Sequence, residues 1–123
     1  SGAAAFRQAG LTPAHVDVAE LYDSFTYTVL VTLEDLGLCP KGAGGEFVSG
    51  QRTAPGGDFP LNTSGGGLSY AHPGMFGMFL LIEAVRQLRG ECGERQVEGA
   101  TIGLVNGMGG YLSSSATLVL ERQ

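Results

Sequence analysis

Gly65-Gly66-Gly67-Leu68-Ser69-Tyr70-Ala71-His72-Pro73-Gly74, followed by the apolar run from Met75 to Leu81, decides how the rest of the chain is read. A glycine-rich loop turns here into a helix, and the junction carries a tyrosine, a proline and one of only two histidines. Two readings stand on local pattern. One is a capped turn before a helix. The other is a ligand site, in which glycine lets a substrate approach the backbone beside a ring that titrates near neutrality. The glycines match neither a phosphate-binding GxxxxGK[ST] loop nor a strand-turn-helix GxGxxG fingerprint.

C-terminal to this stretch, Phe76, Phe79, Leu80, Ala84 and Leu88 recur near helical spacing and predict a helix over 75–88 that stops at Gly90. Apolar residues surround most of its first half, from Met75 to Ile82, so burial on several sides is expected. Residues 91–98 read as a charged surface turn. Ala100 to Asn106 is a β-rich run, broken by Gly107-Met108-Gly109-Gly110, and Leu112 to Leu120 reads as a last strand. Together they predict an antiparallel hairpin with one strand at a sheet edge.

N-terminal to the stretch, Ala3 to Ala9 favours helix, with Gly10 as its stop, and Thr12-Pro13 starts a short turn through His15, a surface residue. Val16 to Leu21 alternates apolar and polar and reads as a strand. Asp23 or Ser24 is placed to cap a helix over Phe25–Leu36, with Phe25, Val29, Leu33 and Leu36 on one face and Gly37 at its end. Tyr22 thus sits at the C-terminal end of a strand, the edge where open α/β sheets bind ligands, or else is an interior tyrosine with its hydroxyl satisfied. Residues 38–64 carry little periodicity, and Phe47-Val48 and Phe59–Asn62 offer short extended pieces. The order β-α-loop-α-β-β predicts an α/β fold, a mixed sheet with helices packed on it.

Bulk properties narrow the function. The chain has 123 residues, 43% of them hydrophobic, which suffices for one domain with a packed core. The net charge is −5 and Lys41 is the only lysine, so no nucleic-acid surface is expected. The longest apolar run is too short to span a membrane. Cys39 and Cys92 lack metal or CxxC spacing, and neither precedes a helix that would activate a thiol, so a reduced, cytoplasmic setting is the expectation. Ser1 to Leu11 reads as the second half of a unit, which suggests a segment that starts inside a larger protein.

Taken together, these segments resemble a known family. Ala9-Gly10-Leu11-Thr12-Pro13 with Val16 to Leu21 is similar to the approach to the first C-terminal active-site motif of thiolases. Tyr22-Asp23-Ser24-Phe25 stands where that motif reads His-Asp-Ala-Phe or Asn-Glu-Ala-Phe. Asn62 to Gly66 with Tyr70-Ala71-His72-Pro73 stands at the Gly-Gly…Gly-His-Pro motif, and Gly107 to Gly110 at the terminal glycine turn. The chain therefore resembles the C-terminal half of the thiolase superfamily, in particular bacterial lipid-transfer-protein, or sterol-carrier-protein-type, thiolases.

The resemblance implies a thiolase-like C-terminal domain over 1–123, with a mixed sheet of the five-stranded type (βαβαββ) and packed helices. This is half of a layered αβαβα fold whose N-terminal, nucleophile-bearing half lies outside the chain. It implies an acyl-CoA thioester substrate, no further cofactor and no metal. His72 matches the histidine of Gly-His-Pro. The departures are Tyr22 for His or Asn, Tyr70 before Ala71-His72-Pro73, and the lack of a second cysteine, since Leu104-Val105-Asn106 occupy its neighbourhood. This pattern resembles the subgroup that cleaves steroid side-chain acyl-CoA thioesters by retro-aldol chemistry beside a partner containing an OB-fold domain. On that basis His72, Tyr22 and Tyr70 are the expected catalytic residues, and Asn62, Ser64, Gly65, Gly66 and Gly109 the substrate-binding ones. Thiolytic acyl transfer is the alternative activity, and a non-catalytic acyl-CoA or lipid-binding domain is the third reading. Alone, the chain is expected to be inactive and to self-associate through surface that normally packs on the other half.

Overall fold

Glycine stops delimit the three longer helices of the computed structural model, which describes all 123 residues. Helix α1 (Gly2–Ala9) ends at Gly10, whose left-handed φ of 68° turns its N–H back onto the carbonyls of Phe6 and Arg7. Phe6 carries α1 into the core. A single 3₁₀ turn, Pro13–His15, follows, and exposed His15 folds its Nδ1 back onto Thr12.

Strand β1 (Val18–Leu21) is buried at all four positions, Glu20 included. The strand expected over Val16 to Leu21 is present, two residues shorter at its start. Strand β2 (Ile102–Gly109) pairs with β1 in parallel on one side. On the other side Leu61 forms a parallel bridge to Ala19, with Ala19 N–H donating to the Pro60 carbonyl at 3.1 Å and Asn62 N–H to the Ala19 carbonyl at 2.9 Å. Helices cover both faces, so β1 is interior like the strands of a parallel sheet.

Strand β3 (Ser114–Glu121) pairs antiparallel with β2 and forms the edge. The sheet is therefore mixed and three-stranded, in the order β1-β2-β3. The expected five-stranded type is reduced to three strands, and 60–62 adds one further extended segment that bridges at a single residue. The hairpin turn also lies later than its glycines suggested. Gly107 and Gly109 stay in the ladder opposite Ala116 and Ser114, and the chain reverses through Gly110 to Ser113.

Helix α2 (Thr26–Asp35) and Gly37, at φ 77°, match expectation, and Val29, Leu33 and Leu36 bury against the sheet. Phe25 instead is exposed, and neither Asp23 nor Ser24 caps α2. Phe47-Val48, expected extended, closes a one-turn helix α3 (Gly44–Phe47). Glu34 accepts the Gly44 N–H at 3.0 Å, and Phe47 packs edge-on against Phe59, their ring centres 5.3 Å apart. These tertiary contacts override the weak β preference of the pair.

Helix α5 (Phe76–Arg89) ends at Gly90, also left-handed. Phe76, Leu80 and Ala84 pack on Val105, and Leu88 on Val18 and Ala100. Gly77 at the start of the helix faces Gly107 of β2, where an added side-chain carbon would stand 3.7–3.9 Å from the opposing Cα, an ordinary contact distance. Burial of α5 on several sides is not observed: Met75, Met78, Phe79 and Ile82 are exposed, because only the sheet covers the helix in this chain. No helix is long and apolar enough to cross a membrane.

Leu104 is fully buried between α2 and the sheet, so Leu104→Ala is expected to cost about 2–5 kcal/mol. Phe79→Ala, at a half-exposed site, should cost under about 1 kcal/mol in the same chain. Urea denaturation midpoints compare the two directly.

Candidate active site

The site forms where β1 ends. The Tyr22 N–H extends the ladder to the Asn106 carbonyl at 2.9 Å, so the strand holds the tyrosine at its C-terminal edge. Its ring lies against Phe76 at the start of α5, with centroids 6.3 Å apart. The Tyr22 hydroxyl meets His72 Nδ1 at 3.1 Å. The two residues, 50 apart in sequence, thus converge.

What brings the histidine there is Asp23. This residue is 3% exposed, and its carboxylate accepts the N–H groups of Gly67 at 2.8 Å and Leu68 at 3.1 Å. Those donors belong to the one-turn helix α4 (Gly66–Ser69) in the glycine-rich loop. An anion accepting the free N–H groups of a helical turn is favourable in charge and geometry. Gly66 is obligatory, because its φ is 66° and a Cβ there would collide with the Asp23 carboxylate. Asp23 therefore caps a turn distant in sequence rather than the helix next to it.

Two adjoining cavities flank the Tyr22–His72 pair. One, of about 320 Å³, is lined by Asp23, Phe25, Leu68 and Ala71 besides the pair. The other, of about 300 Å³, adds Tyr27, Met108 and Tyr111. Tyr111 is 92% exposed at the hairpin tip, and sequence reasoning passed over it; its one signal was an aromatic residue directly after the terminal glycine turn.

The other expected site residues are placed differently. Tyr70 is 74% exposed and lines a third cavity, of about 360 Å³, with Ser64, Phe79 and Glu83. That cavity shares Ala71 and Phe76 with the first, so Tyr70 stands across this wall from the Tyr22–His72 pair. The Asn62 side chain is occupied by β1, accepting from Leu21 N–H at 2.7 Å and donating to the Leu21 carbonyl at 2.9 Å. Ser64 Oγ accepts the Gly66 N–H at 3.4 Å. Gly65, at φ 102°, shapes the loop, and Gly109 sits in the hairpin ladder with Ser113 and Ser114 hydroxyls on its carbonyl. Neither cysteine lines the cavities beside His72. Burial pushes both thiols above the ordinary value, which keeps them protonated and weakly nucleophilic.

Asp23→Ala strands two loop N–H groups, each worth about 1–3 kcal/mol when left unpaired. Tyr22→Phe removes a single, partly exposed hydrogen bond and should cost at most about 1.5 kcal/mol. Urea denaturation read beside the NMR resonances of the His72 ring separates them: both variants shift the ring, and only Asp23→Ala unseats the amides of Gly67 and Leu68.

Comparison with known proteins bears on the family and the fold. A family model described as "Thiolase C-terminal domain-like" matches residues 1–122. The chain is 42% identical over 119 residues to an acetyl-CoA acetyltransferase of Methanothermobacter thermautotrophicus, an alignment covering 96% of this chain and 31% of that protein. It is 48% identical over 83 residues to the 17-hydroxy-3-oxo-4-pregnene-20-carboxyl-CoA lyase of Mycobacterium tuberculosis, covering 68% of this chain and 21% of the lyase. Among solved structures, a chain of an "Ltp2-ChsH2(DUF35) aldolase" superposes with a TM-score of 0.84 at 37% identity, over 98% of this chain and 30% of that one. The chain thus spans less than a third of the length of each of these proteins. With a family match over nearly every residue and the same architecture in a solved relative, the chain belongs to the thiolase C-terminal domain-like family.

Proposed function

We propose that this chain supplies the C-terminal wall of a thiolase-like active site that takes β-hydroxyacyl-CoA thioesters and cleaves them by a retro-aldol reaction. The observation that carries this reading is the Tyr22 hydroxyl on His72 Nδ1, at 3.1 Å, with open cavities on either side. In a retro-aldol step a base removes the β-hydroxyl proton, the Cα–Cβ bond breaks, and its electron pair moves into the thioester as an enolate. A carbonyl product leaves, and the enolate is then protonated. Such a reaction requires hydroxyl-level proton transfer and a donor to the thioester oxygen.

A tyrosine hydroxyl donating to Nδ1 puts the remaining ring proton on Nε2, where it serves as a donor to an oxyanion. Tyr22 and His72 thus act as a coupled pair: Tyr22 takes the β-hydroxyl proton as it passes its own to His72 Nδ1, while the Nε2–H holds the thioester oxygen, and the imidazolium so formed is the proton source for the enolate. Tyr70, exposed beyond the Ala71–Phe76 wall, is the second hydroxyl, with free space in which its ring can turn. The exposed apolar side of α5, Met75, Met78, Phe79 and Ile82, is where the remaining half of the enzyme or a second copy packs, and an OB-fold partner is part of the same reading. The likeness to an acetyl-CoA acetyltransferase favours a second reading, in which a cysteine from the other half attacks and free CoA cleaves the product thiolytically.

The test is turnover of a steroid side-chain β-hydroxyacyl-CoA by the full-length protein that carries this domain. Tyr22→Phe, Tyr70→Phe and His72→Ala are each expected to lower kcat by about 10²–10⁴-fold. Full activity in both tyrosine variants overturns the aldolase reading. Product formation that requires free CoA selects the acyl-transfer alternative.

A further inference from the structure

Behind the site lies a buried polar cluster that the chemistry above does not use. Thr63 Oγ1 is 2.8 Å from Glu20 Oε1 and 2.8 Å from Glu83 Oε1. It also receives an N–H from Gln87 Nε2 at 2.9 Å. The orientation of that amide is set independently, because Gln87 Oε1 accepts the Val97 N–H at 2.9 Å. A threonine hydroxyl has one proton and two lone pairs. Gln87 takes one lone pair, and the single proton reaches only one of the two carboxyls. The remaining close oxygen–oxygen contact needs a second proton, which has to sit on a carboxyl.

Glu83 is not its holder. Arg95 grips it at both oxygens, Nε to Oε1 at 2.8 Å and Nη2 to Oε2 at 3.0 Å, the fork geometry of an ionised carboxylate. Glu20 has no cation; it is fully buried, and its second oxygen has no partner. We infer that Glu20 holds a proton in the folded chain and, through Thr63, acts as a positioning residue that seats the glycine-rich loop. In this arrangement Glu20 donates to Thr63 Oγ1 and Thr63 donates to Glu83, so all three bonding positions of the hydroxyl are filled. Glu20 Oε1 also accepts the Thr63 N–H at 3.2 Å, and Gly65 N–H closes onto the adjacent Asn62 carbonyl at 2.7 Å. A charge on Glu20 would undo the chain and strain this turn.

The surroundings fit. Burial pushes the Glu20 carboxyl up to about 8, and the nearby charges of Glu83 and Asp23 push in the same direction. Glu83 is itself pulled up by burial, and the bonds from Arg95 and Thr63 outweigh this and hold it below the ordinary value. The charged and titratable groups around the cluster are Glu83 on α5, Cys92 and Arg95 on the turn after it, and Asp23 beyond β1. The inference does not depend on the acyl-CoA reading, since it concerns how the loop is held.

The sign of the linkage follows from the two states. Unfolded, Glu20 ionises near 4.5; folded, near 8. Between those values the folded chain holds one proton more, so stability falls as pH rises through this window and levels off above it. Urea denaturation of the chain and of Glu20→Gln at pH 5, 6, 7 and 8 tests this. Gln keeps a donor towards Thr63 without a titration. The ratio of wild-type to variant folding constants is expected to fall about tenfold per pH unit. A ratio that does not vary with pH overturns the inference. Should Glu20→Gln not fold, carboxyl ¹³C NMR of the wild-type chain decides. A glutamate that stays protonated at pH 7, and whose titration moves the Thr63 and Gly65 amides with the same midpoint, supports the assignment. Full ionisation of every glutamate at pH 7 overturns it.

Discussion

Burial of β1 on both faces is the constraint on which the rest of the structure depends. β2 lines one edge of the strand and the Leu61 bridge the other, while α2 and α5 cover its two faces. A strand in that position has no water for any polar group, so each one it carries must be answered by the protein. Glu20 is answered by Thr63, and through Thr63 it is joined to Glu83, Gln87 and Arg95. The polar cluster under the sheet is thus a consequence of the topology, and it ties the loop after the bridge to α5.

The same strand sets the site. At its end the chain leaves the dry interior, and Tyr22 and Asp23 are the first side chains with room for polar partners. Asp23 holds the glycine-rich loop and Tyr22 meets the histidine that the loop delivers. Two successive residues fastened to one loop fix the site more firmly than either bond alone, because the loop cannot shift without losing both. The loop in turn tolerates this only because Gly66 has no side chain to oppose Asp23. Outside this clamp the walls are aromatic and open, with Phe25, Tyr27, Tyr70 and Tyr111 all largely exposed. A surface so rich in uncovered aromatic and apolar side chains suits a site completed by further protein.

Much of the fold was legible where the cause is local. Gly10, Gly37 and Gly90 end their helices in the left-handed conformation that glycine alone adopts without cost, and neighbouring sequence is enough to see it. The junctions carrying Tyr22 and His72 were legible for the same reason. Local pattern misled where a distant partner outweighed it. Val16 to Leu21 reads as a strand from its own residues, but the full burial of Glu20 is set by Thr63 and the packing of α5. Phe47 looks extended, yet Phe59 and the Glu34 cap hold it in a helical turn. Gly107 to Gly110 looks like a turn, yet the ladder with β3 runs through Gly109. Asp23 looks like the cap of the following helix, yet it caps a turn some 44 residues away.

By itself the sequence determined the three longer helices, the order of helices and strands, the family resemblance and the junctions at which Tyr22 and His72 sit. These rest on short-range chemistry: helical spacing, glycine stops, and motifs whose residues sit a few positions apart. Only the tertiary structure decided which faces stay dry, which carboxylate accepts which N–H, and on which side of the Ala71–Phe76 wall Tyr70 stands. Those outcomes depend on distances between segments far apart in the chain. Burial and hydrogen-bond satisfaction act on the assembled packing, and no window of sequence contains it.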